Sequence, residues 1–154
     1  TPNPTTKLLA RQWLALYQLG PVWVPPLIHT GILSNLFLSF IHPSERNLYL
    51  LAAALTFSIL PFTFLYLEPG INGACKWKVA GLLQDEGFAM PGRKKGLVKP
   101  SVVRHSASES SKKWAEGVEM GVLVEAWAGR NHVRWVVGVG AGVVSFLAMG
   151  RGGV

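Results

Sequence analysis

Charge is scarce in this chain. Only 15% of its 154 residues are charged, against about 25% in an ordinary soluble domain. Disorder is excluded, because it combines high charge with low hydrophobicity, and here 49% of residues are apolar. The same deficit argues against an ordinary soluble enzyme. Acids are scarcer than bases, 8 against 15, which leaves a net charge of +7. A single cysteine, Cys75, excludes an intrachain disulfide framework and any multi-cysteine metal site. The four histidines, His29, His42, His105 and His132, include no i,i+3 or i,i+4 pair and no H-E-x-x-H, so no motif supports a metal site. There is no G-x-S-x-G and no phosphate-binding loop. Gly138-Val139-Gly140-Ala141-Gly142 fails as a dinucleotide fingerprint because position 143 is valine. The length allows one domain, 1–154.

Long apolar runs are what the chain does have. No Asp, Glu, Lys or Arg occurs between Arg11 and Glu45, between Arg46 and Glu68, or between Arg134 and Arg151. A helix needs roughly 20 residues to cross a bilayer core. The runs predict spans at about 20–41, 48–67 and 132–149. Pro21, Pro25 and Pro26 place the start of regular helix in the first span near Leu27. Pro61 predicts a kink in the second, with Thr56, Ser58 and Thr63 at hand for the freed carbonyl. Gly138 and Gly142 form a small-xxx-small step for helix packing in the third. The short turn 42–46 makes the first two spans a hairpin. An internal apolar run followed by a second does not fit a secretory signal peptide.

With this topology every Lys and Arg except Arg46 and Arg151 falls on one side, which the positive-inside rule makes cytoplasmic. Arg93-Lys94-Lys95 then reads as topological charge attracted to anionic membrane lipids, and nucleic acid is not an expected partner. In the long loop, about 68–131, the Lys-, Gly-, Pro- and Ser-rich stretch 91–111 is expected to be mobile. Residues 112–127 read as an amphipathic interfacial helix capped by Ser110 or Ser111, with Trp114, Val118, Leu123 and Trp127 on one face. The fold class is all-α, an integral membrane helical bundle.

Polar groups near the membrane carry the functional signal. His29 falls near mid-membrane, where an ionisable group is a functional hypothesis; a neutral imidazole bonded to a neighbouring helix is the alternative. Trp127, Asn131 and Arg134, spaced by four and three, share a helix face. Glu68, Asn72, Asn131 and Arg134 are expected to gather at the cytoplasmic end of the bundle, as a binding site or as caps and charge pairs.

Three blocks in these regions resemble a known family. They are Gln12-Trp13-x-x-x-Tyr17-x-x-Gly20; Pro61-Phe62-Thr63 with Glu68-Pro69-Gly70-Ile71-Asn72-Gly73; and Trp127-x-x-x-Asn131-x-x-Arg134. Together they resemble the fungal and bacterial integral-membrane family that includes the anthrone oxygenases of polyketide pathways, over about 9–147. The resemblance implies a four-span fold of which three spans are present. The loop-like opening Thr1-Pro2-Asn3-Pro4-Thr5-Thr6, without Met, agrees with a first span lying upstream. It also implies oxidation of an anthrone to an anthraquinone with O2, without metal, flavin or other cofactor, in an endomembrane such as the endoplasmic reticulum or a vesicle. The partners would be an aromatic hydrophobic small molecule and O2. Asn72, Asn131 and Arg134 would be hydrogen-bond donors, and Trp13, Tyr17 and Trp127 pocket walls. His29, outside the shared blocks, is an inferred base. The alternative is a non-catalytic membrane scaffold or small-molecule-handling protein of the same fold. A transporter is disfavoured, with one mid-membrane ionisable group and no internal repeat.

Overall fold

A side-chain cap starts the first helix, α1 (Pro4–Ile41). Asn3 Oδ1 accepts the Thr5 N–H at 3.0 Å, and the Asn3 carbonyl takes those of Thr6 and Lys7. Thr5 and Thr6, which read as loop, are therefore the first helical turn. The computed structural model describes residues 3–92 and 101–151; Arg93, Lys94, Lys95 and Lys99 lie outside the described residues. α1 does not wait for Leu27 but runs through Pro21, Pro25 and Pro26. Each proline removes one backbone donor. In an apolar run no other conformation would satisfy the remaining groups better, so the helix persists.

His42 and a 3₁₀ turn (Pro43–Glu45) lead into α2 (Arg46–Pro61). α2 passes into a π-helical segment (Phe62–Asn72) and then α3 (Gly73–Leu82). The sharp bend lies at Gly70 (φ −85°, ψ −110°), beyond the expected Pro61. Thr56 and Ser58 bond the Ala52 and Leu55 carbonyls at 2.8 and 2.7 Å, not the Phe57 carbonyl that Pro61 frees.

At the bend, the carbonyls are satisfied by the loop. Ser106 Oγ donates to the Glu68 carbonyl (2.7 Å), and Ser108 N–H and Ser111 Oγ donate to that of Pro69 (3.1 and 2.9 Å). Thus residues 101–108, part of the stretch expected to be mobile, are laid against the bend. The approach is close enough to require glycine: a Cβ on Gly73 would stand 2.5 Å from Ala107 Cα.

Residues 112–127 form parts of two helices rather than one. α4 (Glu109–Gly117) is capped by Ser108, which accepts from Ser111 N–H at 3.2 Å, in place of the expected Ser110 or Ser111. Val118 is extended, and α5 (Met120–Arg151) follows. Three helical stretches, Pro4–Ile41, Pro43–Leu82 and Met120–Arg151, are long and apolar enough to cross a membrane. The described residues contain no strand, only an isolated bridge between Gly92 and His105.

The chain divides into two units. The first holds α1 up to Val22 and the described residues from Phe62 to Arg130. Its core includes Ala10, Trp13, Tyr17, Leu67, Ile71, Ala74, Cys75, Val79, Met120 and Leu123. Trp114, Val118 and Trp127 pack, partly buried, against that core.

The second unit comprises Trp23–Pro61 and α5 from Asn131 onward. It is apolar on the outside: Leu27, Leu33, Phe37, Phe40, Phe57, Trp135 and Phe146 are all more than half exposed. Such a surface suits lipid, not water. Its helices meet through small residues, as expected in a bilayer, but not through the expected glycines. Nothing lies within 4 Å of a Cβ built on Gly138 or Gly142. Ala141 and Ala148 are buried instead, and Ser145 Oγ donates to Asn35 Oδ1 at 2.7 Å.

Candidate functional site

Glu68, Asn72 and Lys76 recur every fourth residue from the π-helical segment into α3, which brings them to one side of the helix. Trp13 and Tyr17 have the same spacing on α1, and Trp127 comes from α5. All six lie in the first unit.

At the centre, Glu68 and Lys76 form an ion pair with both side chains 0% exposed. A buried pair is tolerated when its remaining hydrogen-bonding capacity is filled. Here Tyr17 OH donates to both carboxylate oxygens (3.2 and 3.0 Å), Asn72 Nδ2 to Oε2 (3.0 Å) and Ser106 Oγ to Oε1 (2.9 Å). Lys76 Nζ also donates to Tyr17 OH (3.2 Å) and to the Ser101 carbonyl (3.3 Å). The ammonium lies 4.9 Å from the Tyr17 ring centroid. The Tyr17 hydroxyl therefore sits between a carboxylate and an ammonium, which is an arrangement able to relay a proton.

Aromatic rings flank this group. Trp13 stacks on Tyr17 (centroids 5.2 Å apart) and meets Trp127 edge-on (5.9 Å). Trp127 Nε1 donates to Asn72 Oδ1 at 3.0 Å, tying the wall to the polar cluster. Trp13 Nε1 is buried and has no acceptor among the described residues. An unpaired buried donor costs about 1–3 kcal/mol.

The other expected site residues are in the second unit. Arg134 Nη2 donates to Asn131 Oδ1 within α5. His29 is exposed, and its Nδ1 lies 2.6 Å from the Pro25 carbonyl of its own helix, so its contact is not the expected one with a neighbouring helix. Asn72 thus joins Glu68 in one unit, while Asn131 and Arg134 pair with each other in the other.

Lys76 and Ser106 were not read as site residues, and Glu68 was read only as part of a terminal cluster. The four-residue spacing of Glu68, Asn72 and Lys76 was the available signal. For Ser106 there was none, because a loop residue's partner is set by the path of the chain. No cluster of three or more His, Cys, Asp or Glu among the described residues is placed to hold a metal.

A surface cleft of about 440 Å³ lies in the same unit, lined by Leu14, Ala15, Gln18, Leu83 and Phe88, with Arg11 and Glu86 also present. Arg11 and Glu86 are ion-paired, and Lys7 holds Asp85 at 2.5 to 2.7 Å. Hydrogen bonds from Lys7 and Arg11 hold the Asp85 and Glu86 carboxyls, respectively, below their ordinary values. Burial, followed by nearby Lys112 and Lys76, lowers the His105 imidazole.

A family model described as anthrone oxygenase matches residues 13–144. The chain belongs to the anthrone oxygenase family. The matched stretch runs from Trp13 past Trp127, so it contains every residue of the buried cluster. Searches of curated proteins and of solved structures found no match. For this anthrone oxygenase family member, the polar chemistry and aromatic wall sit together in the first unit, and the chain carries three helical stretches long and apolar enough to span a membrane.

Proposed function

We propose that this family member oxidises an anthrone-type aromatic polyketide to an anthraquinone with O2, without a cofactor. The supporting observation is the Tyr17 hydroxyl held between the buried Glu68 carboxylate and Lys76 ammonium, beside the Trp13 and Trp127 rings.

An anthrone supplies much of the reactivity itself. Its doubly activated methylene enolises to an electron-rich anion that can pass an electron to O2. Tyr17 takes the first methylene proton as its own proton moves to Glu68, and the Lys76 ammonium favours the negative charge passing through the phenol. The anion gives one electron to O2, and the carbon radical and superoxide join as a carbon-bound peroxide. The relay returns the proton to that peroxide and removes the second methylene proton. The O–O bond then breaks, the C=O bond forms, and hydroxide leaves with the second proton as water. Carbon loses four electrons, O2 gains four, and the products are one quinone oxygen and one water.

The roles of Asn72, Asn131 and Arg134 as donors to developing negative charge belong to the same proposal. The protein would reside in an endomembrane with the basic loop cytoplasmic. A second reading, a non-catalytic membrane protein that handles small molecules, is favoured by the full hydrogen-bonding of Glu68, which also suits a purely structural ion pair.

Emodin anthrone incubated with membranes carrying the protein, against empty membranes, separates the readings. Oxidation above the spontaneous rate supports the enzyme. A rate equal to background rejects it for that substrate. Asn131→Ala and Arg134→Ala should lower the rate while membrane insertion is kept, and full activity in both removes them from the site.

A further inference from the structure

A small pocket of about 140 Å³ in the first unit is lined by Tyr66, Gly70, Ile71, Ser111, Trp114 and Arg130. It is well below the 300 Å³ or so typical of drug-sized ligands, so it suits a compact group rather than a tricyclic substrate. Its one charge is positive, and no carboxylate lines it. The Arg130 guanidinium lies over the Trp114 ring, 5.2 Å from the centroid. That cation–π contact engages no oxygen acceptor, so it fills none of the guanidinium's N–H···O hydrogen bonds. Among the described residues no carboxylate pairs with Arg130, and the Tyr66 hydroxyl makes no hydrogen bond. The two acids of α4 that bracket Trp114 are engaged elsewhere: Glu109 with Lys112, and Glu116 with Trp77 Nε1. At Gly70 the helix bends, and nothing lies within 4 Å of where a Cβ would stand. Arg130 also precedes the uncharged run from Trp135 to Gly150, near the level where headgroup phosphates meet a spanning helix.

We propose that this pocket binds a phosphate group, carried by a lipid headgroup or free in solution. The Arg130 fork binds two phosphate oxygens, and the Tyr66 hydroxyl donates to the group. The inference is independent of the oxidation chemistry.

The test uses the purified protein in neutral detergent with three probes: dioleoyl phosphatidic acid, dioleoylglycerol and inorganic phosphate. Melting temperature and lipid retained in native mass spectrometry are read for each. Phosphatidic acid should raise the melting temperature and be retained, whereas dioleoylglycerol, with the same tails, should do neither. Arg130→Gln should weaken phosphatidic acid binding about tenfold or more. Lys113→Gln, an exposed charge on α4 that does not line the pocket, should leave it unchanged. If inorganic phosphate alone stabilises the protein as well, and Arg130→Gln abolishes that, the source is free phosphate and the site stands. Should Arg130→Gln fail to fold, Tyr66→Phe takes its place, with weaker binding expected. Equal binding by wild type and the pocket variant, equal effects of Lys113→Gln and Arg130→Gln, or no response to either phosphate probe would overturn the proposal.

Discussion

Replacing Lys76 by methionine removes one half of the buried ion pair while nearly preserving an unbranched side chain's length. Both partners are fully buried, so water cannot replace the lost ammonium without rearrangement. Breaking a buried pair from one side costs about 3–5 kcal/mol. Glu68 would keep its bonds from Tyr17, Asn72 and Ser106, which places the expected cost near the lower end, about 3 kcal/mol. At roughly 2–4 °C per kcal/mol for a chain of this size, the melting temperature should fall by about 6–12 °C. Glu68→Gln should be destabilising too, since it takes the carboxylate away from a buried ammonium that also donates to the neutral Tyr17 hydroxyl and Ser101 carbonyl. The double variant buries no charge at these positions and should recover most of the loss, giving a large coupling in the double-mutant cycle. Thermal unfolding of the four proteins in detergent, followed by circular dichroism, measures this. Single variants within about 0.5 kcal/mol of wild type, the range of ordinary surface substitutions, would refute the buried-pair argument, as would strictly additive effects.

Three further predictions concern other elements of the two units. Gly73→Ala would drive a Cβ to 2.5 Å from Ala107 Cα; displacing residues 101–108 should cost about 1–3 kcal/mol and speed tryptic cleavage at Arg104. The Asp85 and Glu86 carboxyls lie below their ordinary values through Lys7 and Arg11, so the stability they contribute is present above those ordinary values and is lost as pH falls through the lowered ones. The difference in melting temperature between wild type and Lys7→Met should therefore hold steady from neutral pH down to about 5 and shrink below about 4. Asn35→Leu removes the acceptor of Ser145 Oγ between α1 and α5; in a bilayer setting the loss should be modest, about 0.6–2 kcal/mol, read from unfolding in detergent.

Charge-free runs of bilayer length pointed to three apolar helices, and three helical stretches long and apolar enough to cross a membrane are present. The extent of the helices was less visible. Pro21, Pro25 and Pro26 end helices in water, where freed backbone can bond to solvent, but in an apolar setting the helix continues through them. The bend fell at Gly70 rather than Pro61 because Ser106, Ser108 and Ser111 arrive from a distant loop to satisfy its carbonyls. Of the expected site residues, Trp13, Tyr17, Asn72 and Trp127 do meet. Lys76 was hidden by its own chemistry: a lysine near a helix end looks like topological charge, and only its register with Glu68 and Asn72 marks it as buried. His29 stood out for its position in an apolar run, yet the structure finds it exposed and bonded within its own helix.

In the proposed reaction Tyr17, between Glu68 and Lys76, moves the protons of an anthrone oxidation. Tyr17→Phe keeps the ring stacked on Trp13 and removes the hydroxyl alone. In membranes bearing equal amounts of folded protein, the emodin anthrone oxidation rate above background should fall about 100-fold or more, as for loss of a general base, while the hydrogen bonds lost by buried Glu68 and Lys76 lower the melting temperature by several degrees. A Tyr17→Phe protein that oxidises emodin anthrone at the wild-type rate would contradict the account.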